Sequence, residues 1–160
     1  MDTFLTFMLG NESFAVPVEN VLEVLQKQTI TRVPKTPPHI LGIINFRGDI
    51  LPVFDTRQKF NQSSKNQEEA RIVVVFEIKE GSDKTTIAAT ADAVKDVIEI
   101  NHSEIKPVPE LGLDYDSRFI SGAIRRNETF ILMLDIKKVF SASDINDIQK
   151  IQQTKELIQN

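Results

Sequence analysis

Apolar residues alternate with other residues in short runs along most of this chain. The runs are rich in Val, Ile and Phe, and each is bounded by Gly, Asn, Asp or Pro, which is typical of β-strands separated by turns. Many short strands with frequent turns indicate small barrels or a sandwich. The clearest runs span residues 14–18, 50–54, 72–76 and 131–134.

The apolar pattern occurs twice, which indicates an internal duplication. The offset between matched positions grows from 73 to 75 to 80 residues along the chain, as loop insertions between two copies would make it. The matches include Gly and Asp as well as apolar residues, so chance alignment explains them less easily. The matched residues are Phe14, Val16, Val18, Val21 and Val24 with Ile87, Ala89, Ala91, Val94 and Val97; Ile30, Val33 and Pro34 with Ile105, Val108 and Pro109; and Ile40, Gly42, Leu51, Val53, Asp55 and Phe60 with Ile120, Gly122, Ile131, Met133, Asp135 and Phe140.

A polar stretch without apolar periodicity, residues 61–70, divides the chain into comparable halves and is interpreted as a linker or exposed loop. Together with the duplication it predicts an all-β fold with short helices, in which two similar small barrels pack on each other. The expected boundaries are 1–65 for the first barrel and 66–140 for the second. Because barrels of this size are marginal alone, we expect them to share one apolar interface and to unfold together.

The last twenty residues change period. Ile145, Ile148, Ile151 and then Leu157 and Ile158 are spaced for one face of a helix. We therefore predict a C-terminal helix within 141–160, which Ser143 or Asp144 would cap. A helix that packs on a barrel is favoured over a free helix that binds a partner.

Composition and charge exclude several functions. The 160 residues are 41% hydrophobic and 26% charged, with a net charge of −4, which is ordinary for a globular domain but unsuited to binding mainly nucleic-acid phosphates. There is no Cys, so disulfides and thiolate chemistry are excluded. No signal peptide or membrane-length apolar run is visible, so the expected compartment is the cytoplasm.

The chain offers little chemistry for catalysis. His39 and His102 lie in turn-like contexts and are expected at the surface, too few and too far apart for a zinc site. No glycine-rich phosphate loop or nucleophile motif is present. Asp55 and Asp135 occupy the same repeat position, and we expect each to cap the following turn. The sequence therefore predicts no enzyme activity, no cofactor and no metal.

One hairpin differs between the two copies. Residues 40–55 form a strand, a turn and a strand, where Asn45 and Gly48 suit a turn with positive φ and Arg47 lies at the tip. The second copy has Asn127 in the position of Arg47. A duplication that diverges at one turn indicates that this turn acquired a function.

These residues resemble the signature of the CheW family, the adaptors of bacterial chemotaxis. The resemblance rests on NFRG at 45–48 and ILPVFDTR at 50–57, and extends over about residues 4 to 140. It departs at 88–92, AATAD, where the family usually shows a Gly and bulkier aliphatic residues before Asp. Further matches are FMLGNESFAV at 7–16, VLEV at 21–24, ITRVP at 30–34 with Pro37, and FISG at 119–122.

The resemblance implies one CheW-like domain over 1–160, made of two five-stranded SH3-like barrels, that acts as a non-enzymatic scaffold. It would couple the cytoplasmic tips of chemoreceptors to the regulatory domain of the histidine kinase CheA, at membrane-associated receptor arrays, without nucleic acid and without inserting in the membrane. Receptor helices would dock in the apolar groove between the barrels. The implied receptor side comprises Val21, Glu23, Val24, Arg47, Val94 and Val97, and the implied kinase side Arg32, Gly48, Asp49 and Arg57.

The sequence leaves two alternative functions open. The chain could be the CheW-like regulatory segment of a larger signalling protein, similar to CheV or CheA. It could instead be a small barrel that binds an oligonucleotide or another ligand, but this requires aromatic platforms interleaved with Lys or Arg, and the Phe residues lie mainly in strand patterns.

Overall fold

The computed structural model describes residues 2–26, 28–59, 72–108, 117–140, 144–146 and 148–151. The predicted linker at 61–70 and the predicted repeat positions Phe60 and Pro109 lie outside these residues. Within them the chain forms ten strands, two one-turn helices with connecting 3-10 turns, and helical segments at 144–146 and 148–151. The elements are β1 Asp2–Leu9, β2 Glu12–Pro17, β3 Val21–Leu25, β4 Ile40–Phe46, β5 Asp49–Phe54, α1 Thr56–Lys59, β6 Ile72–Glu80, β7 Asp83–Ala91, β8 Ala93–Ile100, β9 Ile120–Arg126, β10 Thr129–Leu134 and α2 Ile136–Val139.

The strands form two five-stranded sheets of the same design, which confirms the predicted fold class. One sheet has the order β3-β6-β7-β5-β4 and is called the first barrel here; the other has the order β8-β1-β2-β10-β9 and is called the second barrel. In each, one parallel pair lies among antiparallel ones, β5 with β7 and β10 with β2. Replacing every strand of one order by its repeat equivalent gives the other order.

The strand register shows the duplication residue by residue. Val53 lies opposite Ala88 in the first barrel, and Met133 lies opposite Ala15 in the second. These pairs are related by the predicted offsets of 80 and 73. The two isolated bridges follow the same rule, because Thr31 pairs with Ile43 and Lys106 with Ala123.

The sheets do not follow the predicted boundaries of 1–65 and 66–140. Strands β1 and β2 belong to the second barrel with β8, β9 and β10, while β6 and β7 belong to the first barrel with β3, β4 and β5. The chain crosses between the sheets after β2 and again after β7, so each half supplies strands to both barrels. The departure from the family pattern at 88–92 therefore begins in the first barrel, where residues 88–91 are the buried end of the central strand β7.

Three apolar clusters hold this arrangement together. Leu25 and Ile44, on opposite edge strands of the first barrel, meet in one small cluster, so the sheet curls around its own core. Ile98 and Ile124 show the same for the second barrel. The largest cluster, here the seam, joins both barrels, as we expected. Its buried members are Leu5, Phe7, Leu9, Phe14, Val16, Ile40, Phe54, Val74, Phe76, Ile78, Ile87, Ala89, Ala91, Ile120, Ala123, Leu132, Leu134, Ile136, Val139, Phe140 and Ile148.

The matched glycines mark where a following segment crosses the edge of each barrel. A Cβ at Gly42 would overlap the carbonyl of Thr31, and a Cβ at Gly122 would lie 2.6 Å from Ile105 Cγ2 and 3.2 Å from the Lys106 carbonyl oxygen. Thr31 and Lys106 form the isolated bridges to Ile43 on β4 and to Ala123 on β9. Glycine at both positions allows the backbones to approach and close the barrels.

The described part of the C-terminal region is helical, at 144–146 and 148–151. Ile148 is buried in the seam, and Ile151 packs against it from a half-buried position. This agrees with the predicted helix on the barrels over these residues. Leu157 and Ile158 lie outside the described chain.

Candidate functional site

The β4–β5 turn has two central residues with positive φ, Arg47 at 52° and Gly48 at 90°. Phe46 pairs with Asp49 across the turn, so this is a two-residue hairpin of the kind whose twist suits antiparallel strands. Asn45, which we expected to help form the turn by its backbone, lies in β4 instead. Its side-chain Oδ1 accepts a hydrogen bond from the Gly48 N–H at 3.1 Å.

Arg47 has two partners in the first barrel. Its Nη2 donates to Glu23 Oε2 at 3.2 Å, and its guanidinium lies 4.7 Å from the centre of the Phe46 ring. Phe46 itself points inward and is buried in the core of the first barrel. The structure thus joins two of the proposed receptor-side residues, 24 positions apart in sequence, into one exposed ion pair, with side chains 65% and 42% exposed.

The four proposed receptor-side valines occupy equivalent edge strands of the two barrels. Val21 and Val24 lie on β3 opposite Phe76 and Val74, and Val94 and Val97 lie on β8 opposite Phe7 and Leu5. Three of them, Val21, Val24 and Val94, are half-buried and pack against the seam. Val97 is 62% exposed. The valines therefore lie along the edge strands, and three of them border the seam where the barrels meet.

The four proposed kinase-side residues differ in exposure. Gly48 and Asp49 are exposed at the hairpin tip, and Arg32 is exposed one residue after the bridge at Thr31. Arg57 differs from them, because its guanidinium donates to the Asp92 carboxylate and its side chain is only 19% exposed.

Asp92 also accepts a hydrogen bond from the backbone N–H of Gly10. It therefore joins α1 of the first barrel, through Arg57, to the β1–β2 turn of the second. The 35 positions between Arg57 and Asp92 left no local signal for this contact. The contacts of Asp92 with Arg57 and Gly10 therefore form a structural tie between the barrels.

Sequence reasoning also missed apolar surface near these sites. Val18 and Leu22 are each 37% exposed, and Leu22 neighbours Glu23 on β3. Phe130, beside the β9–β10 turn, is 59% exposed. Its signal was the alternation along β10, where Leu132 and Leu134 point into the seam.

The second hairpin carries a different ion pair. Arg126 Nη2 donates to Glu104 Oε2 at 3.0 Å and to the Glu99 carbonyl at 2.8 Å. Glu104 completes a capping box with Asn101. The hydrogen bond from Arg126, followed by that from the Asn101 backbone, lowers the pKa of Glu104 below its usual value of 4.5. This arginine is held against its own barrel at several points.

The capping role predicted for two aspartates is confirmed, and the surface position predicted for one histidine is wrong. Asp55 Oδ1 accepts from the Arg57 N–H at 3.0 Å, and Asp135 Oδ1 accepts from the Lys137 N–H at 3.1 Å. His102 is exposed, as we expected, but His39 is half-buried and stacks on Phe54.

No group of three or more His, Cys, Asp or Glu within the described ranges could hold a metal ion. No helix in that part of the chain is long and apolar enough to cross a bilayer.

Two barrels with a common seam, equivalent valine-bearing edges and an exposed Arg–Glu pair define a duplicated two-barrel β-protein. The CheW-like domain model matches residues 3–144, so the chain belongs to the CheW family of chemotaxis scaffold proteins. It is similar to the chemotaxis protein CheW of Klebsiella aerogenes, with 30% identity over 89% of this chain and 83% of the relative. It is 32% identical to protein FrzA of Myxococcus xanthus, over 88% of this chain and 86% of that protein.

A solved structure shares this fold. The crystal structure of the scaffolding protein TtCheW from Thermoanaerobacter tengcongensis matches with a TM-score of 0.77 and 27% identity. The match covers 89% of this chain and 94% of TtCheW. The family and fold expected from the sequence are therefore confirmed.

Proposed function

We propose that this chain is a cytoplasmic, non-enzymatic adaptor that couples the cytoplasmic tips of chemoreceptors to the regulatory domain of the kinase CheA. The observation that carries the proposal is the Glu23–Arg47 pair on the first barrel, next to the valine-bearing strand β3. An apolar border beside an exposed charge pair suits an amphipathic receptor helix, which would lay its apolar face on the valines and its polar flank on the pair.

The turn geometry supports a binding role for Arg47. Arg47 has a backbone φ of 52°, a left-handed conformation that residues other than glycine rarely adopt. The equivalent residue in the second barrel, Asn127, has a φ of 51°. The fold therefore does not require an arginine there. Exposed ion pairs contribute about 0–1 kcal/mol to stability, so stability alone explains the Glu23–Arg47 pair poorly.

The kinase side is proposed with fewer residues than the resemblance implied. Arg32, Gly48 and Asp49 are exposed and remain candidates for contact with the kinase regulatory domain. Arg57 is assigned instead to the structural tie with Asp92. Both surfaces on one chain would let it bind receptor and kinase together.

The test is a titration of the purified chain against a receptor cytoplasmic fragment and, separately, against the kinase regulatory domain. Arg47→Ala should leave the free energy of unfolding within about 0.5 kcal/mol of wild type. Its affinity for the receptor fragment should fall by about 2 kcal/mol, roughly thirtyfold, because an interfacial arginine is lost. Arg47→Lys should restore only part of this, since Lys cannot form the bidentate fork.

The matched control is Asn127→Ala, which changes the equivalent turn position in the second barrel and should bind the receptor fragment normally. If Arg47→Ala unfolds readily, the arginine is structural. If it folds and binds both partners with wild-type affinity, the assignment of this hairpin to the receptor is wrong.

A further inference from the structure

His39 is the point where the first barrel departs from the second in the seam region. The repeat offset of 80 makes Phe119 its equivalent in the second barrel. The backbone carbonyls of both residues accept a hydrogen bond from the backbone N–H of the aspartate that ends the following hairpin, Asp55 and Asp135 respectively. The His39 ring stacks on Phe54, with 5.6 Å between ring centres and 15° between planes. A polar ring thus occupies a position that the duplicated fold fills with an apolar one.

The polar end of this ring faces a buried carboxylate. His39 Nε2, itself buried, lies at an ion-pair distance of 3.2 Å from Asp144 Oδ1 without the geometry of a hydrogen bond, and the Asp144 side chain is only 4% exposed. A carboxylate removed from water to this extent needs a compensating partner, and removal of that partner is strongly destabilising. A positively charged imidazole at this distance would supply the opposite charge that such a carboxylate needs.

This contact joins the two barrels. His39 precedes β4 of the first barrel, while Asp144 follows α2, which continues from β10 of the second barrel. Phe140, directly after α2, contacts Phe54 and Phe76 of the first barrel, with ring centres at 5.2 and 6.5 Å, so the chain reaches across the seam at this residue. The helical residues Ile148 and Ile151 then pack on the same seam.

We propose that His39 and Asp144 form a clasp that fastens the C-terminal helical segment across the seam and fixes how the two barrels sit on each other. Val21, Val24 and Val94 pack against the same cluster as Ile148. The clasp therefore also sets the shape of the surface between the valine-bearing edges. This last part rests on the proposed receptor-binding function, whereas the clasp itself does not.

The test is a double-mutant cycle in the full chain, read by thermal unfolding and by hydrogen exchange of backbone amides. His39→Phe, which copies Phe119, Asp144→Leu and Asp144→Asn should each speed exchange at 148–151 by about tenfold or more while the β6–β7 amides stay protected. The double variant His39→Phe with Asp144→Leu should recover much of the lost protection, because it leaves no buried polar group unpaired.

A second His–Asp pair in this chain supplies the control. His102 Nε2 lies 2.8 Å from Asp2 Oδ2, but both side chains are mostly exposed. Asp2→Asn should leave exchange at 148–151 unchanged. Additive effects of the two clasp substitutions, or unchanged exchange at 148–151 in Asp144→Asn, would overturn the clasp.

Receptor binding is measured on the same variants. Asp144→Asn should weaken binding of the receptor fragment several-fold with Glu23 and Arg47 intact. Wild-type affinity in a variant whose helical segment exchanges faster would refute the link between clasp and groove. Failure of the wild-type chain to bind the fragment would refute the proposed function, while the cycle and the exchange rates would still decide the clasp.

Discussion

The β4–β5 and β9–β10 turns occupy the same place in the two barrels, yet they carry different chemistry. Both have two central residues with positive φ, Arg47 and Gly48 in one, Asn127 and Glu128 in the other. Asn tolerates this conformation better than Arg, because its short polar side chain can hydrogen-bond locally. The comparison separates what the fold requires, a left-handed backbone, from what one copy has added, a guanidinium at the tip.

The ion pairs at the two turns differ in the same way. Arg126 is held by the Glu99 carbonyl and by Glu104, a residue that also forms a capping box with Asn101 in the same barrel. Arg47 reaches across to Glu23 on β3, the strand that also carries Val21 and Val24. The Arg126–Glu104 pair stabilises the second barrel, whereas the Arg47–Glu23 pair lies beside the apolar border that we assign to the receptor.

The largest expected effect tests whether the two copies fold as one unit. Phe140→Ala removes a ring that contacts Phe54 and Phe76 in the seam, and should lower the free energy of unfolding by about 3–5 kcal/mol. Because the seam contains residues of both barrels, chemical unfolding followed by hydrogen exchange should show a single transition. Loss of one barrel while the other remains protected would mean that the copies are independent.

The second prediction compares the matched glycines. Gly42→Ala should destabilise the chain by about 2–3 kcal/mol, because the new Cβ meets the Thr31 backbone, which cannot move without breaking its bridge. Gly122→Ala should cost about 1–2 kcal/mol, since its overlap is with the γ-methyl of Ile105, a side-chain atom, and the nearest backbone atom, the Lys106 carbonyl oxygen, lies at 3.2 Å. Denaturant midpoints of the two variants measure the difference. A larger loss of stability in Gly122→Ala than in Gly42→Ala would show that the Thr31 backbone does not pack closely on Gly42.

A smaller effect is expected from exchanging the two turn residues. Asn127→Arg should lower stability by about 0.5–1 kcal/mol, because Arg fits the left-handed conformation less well. Arg47→Asn should lie within about 0.5 kcal/mol of wild type, as the relieved backbone offsets the lost surface ion pair. Thermal unfolding of both variants checks this. A large loss in Arg47→Asn would show that the arginine is needed for folding.

The smallest expected effect is on the stability of the chain at acidic pH. The pKa of Glu104 is lowered in the folded chain, so its contribution to stability is fully present above the unfolded value of 4.5 and is lost as the pH falls towards the folded value. Glu104→Gln should therefore flatten the loss of stability below pH 4.5. Urea midpoints at neutral pH and at about pH 3 measure it. Arg126→Gln should flatten the profile only in part, because the Asn101 backbone N–H still lowers the pKa of Glu104, and an unchanged slope in both variants would contradict the assignment.

The repeat with its matched glycines and the aspartate caps could be predicted because each depends on residue type at a fixed spacing, whereas the role of the glycines in closing the barrels required the structure. The exchange of strands between halves could not, since alternation in β1 or β6 shows which face is buried but not which strand lies alongside. The contacts of Arg57 with Asp92 and of His39 with Asp144 join segments 35 and 105 positions apart, where no local pattern acts. At the hairpin, Arg47 could be predicted from the divergence of the copies, whereas its pairing with Glu23 required the structure.

The most direct test of the adaptor account is a three-component sedimentation assay with receptor cytoplasmic domains assembled on vesicles, the kinase and this chain. The account predicts that the kinase sediments with the vesicles when the wild-type chain is present and stays in solution when it is omitted. With Arg47→Ala the kinase should remain largely in solution, although the variant still binds the isolated kinase regulatory domain. Kinase recovery that does not depend on the chain, or that is equal for wild type and Arg47→Ala, would contradict the account.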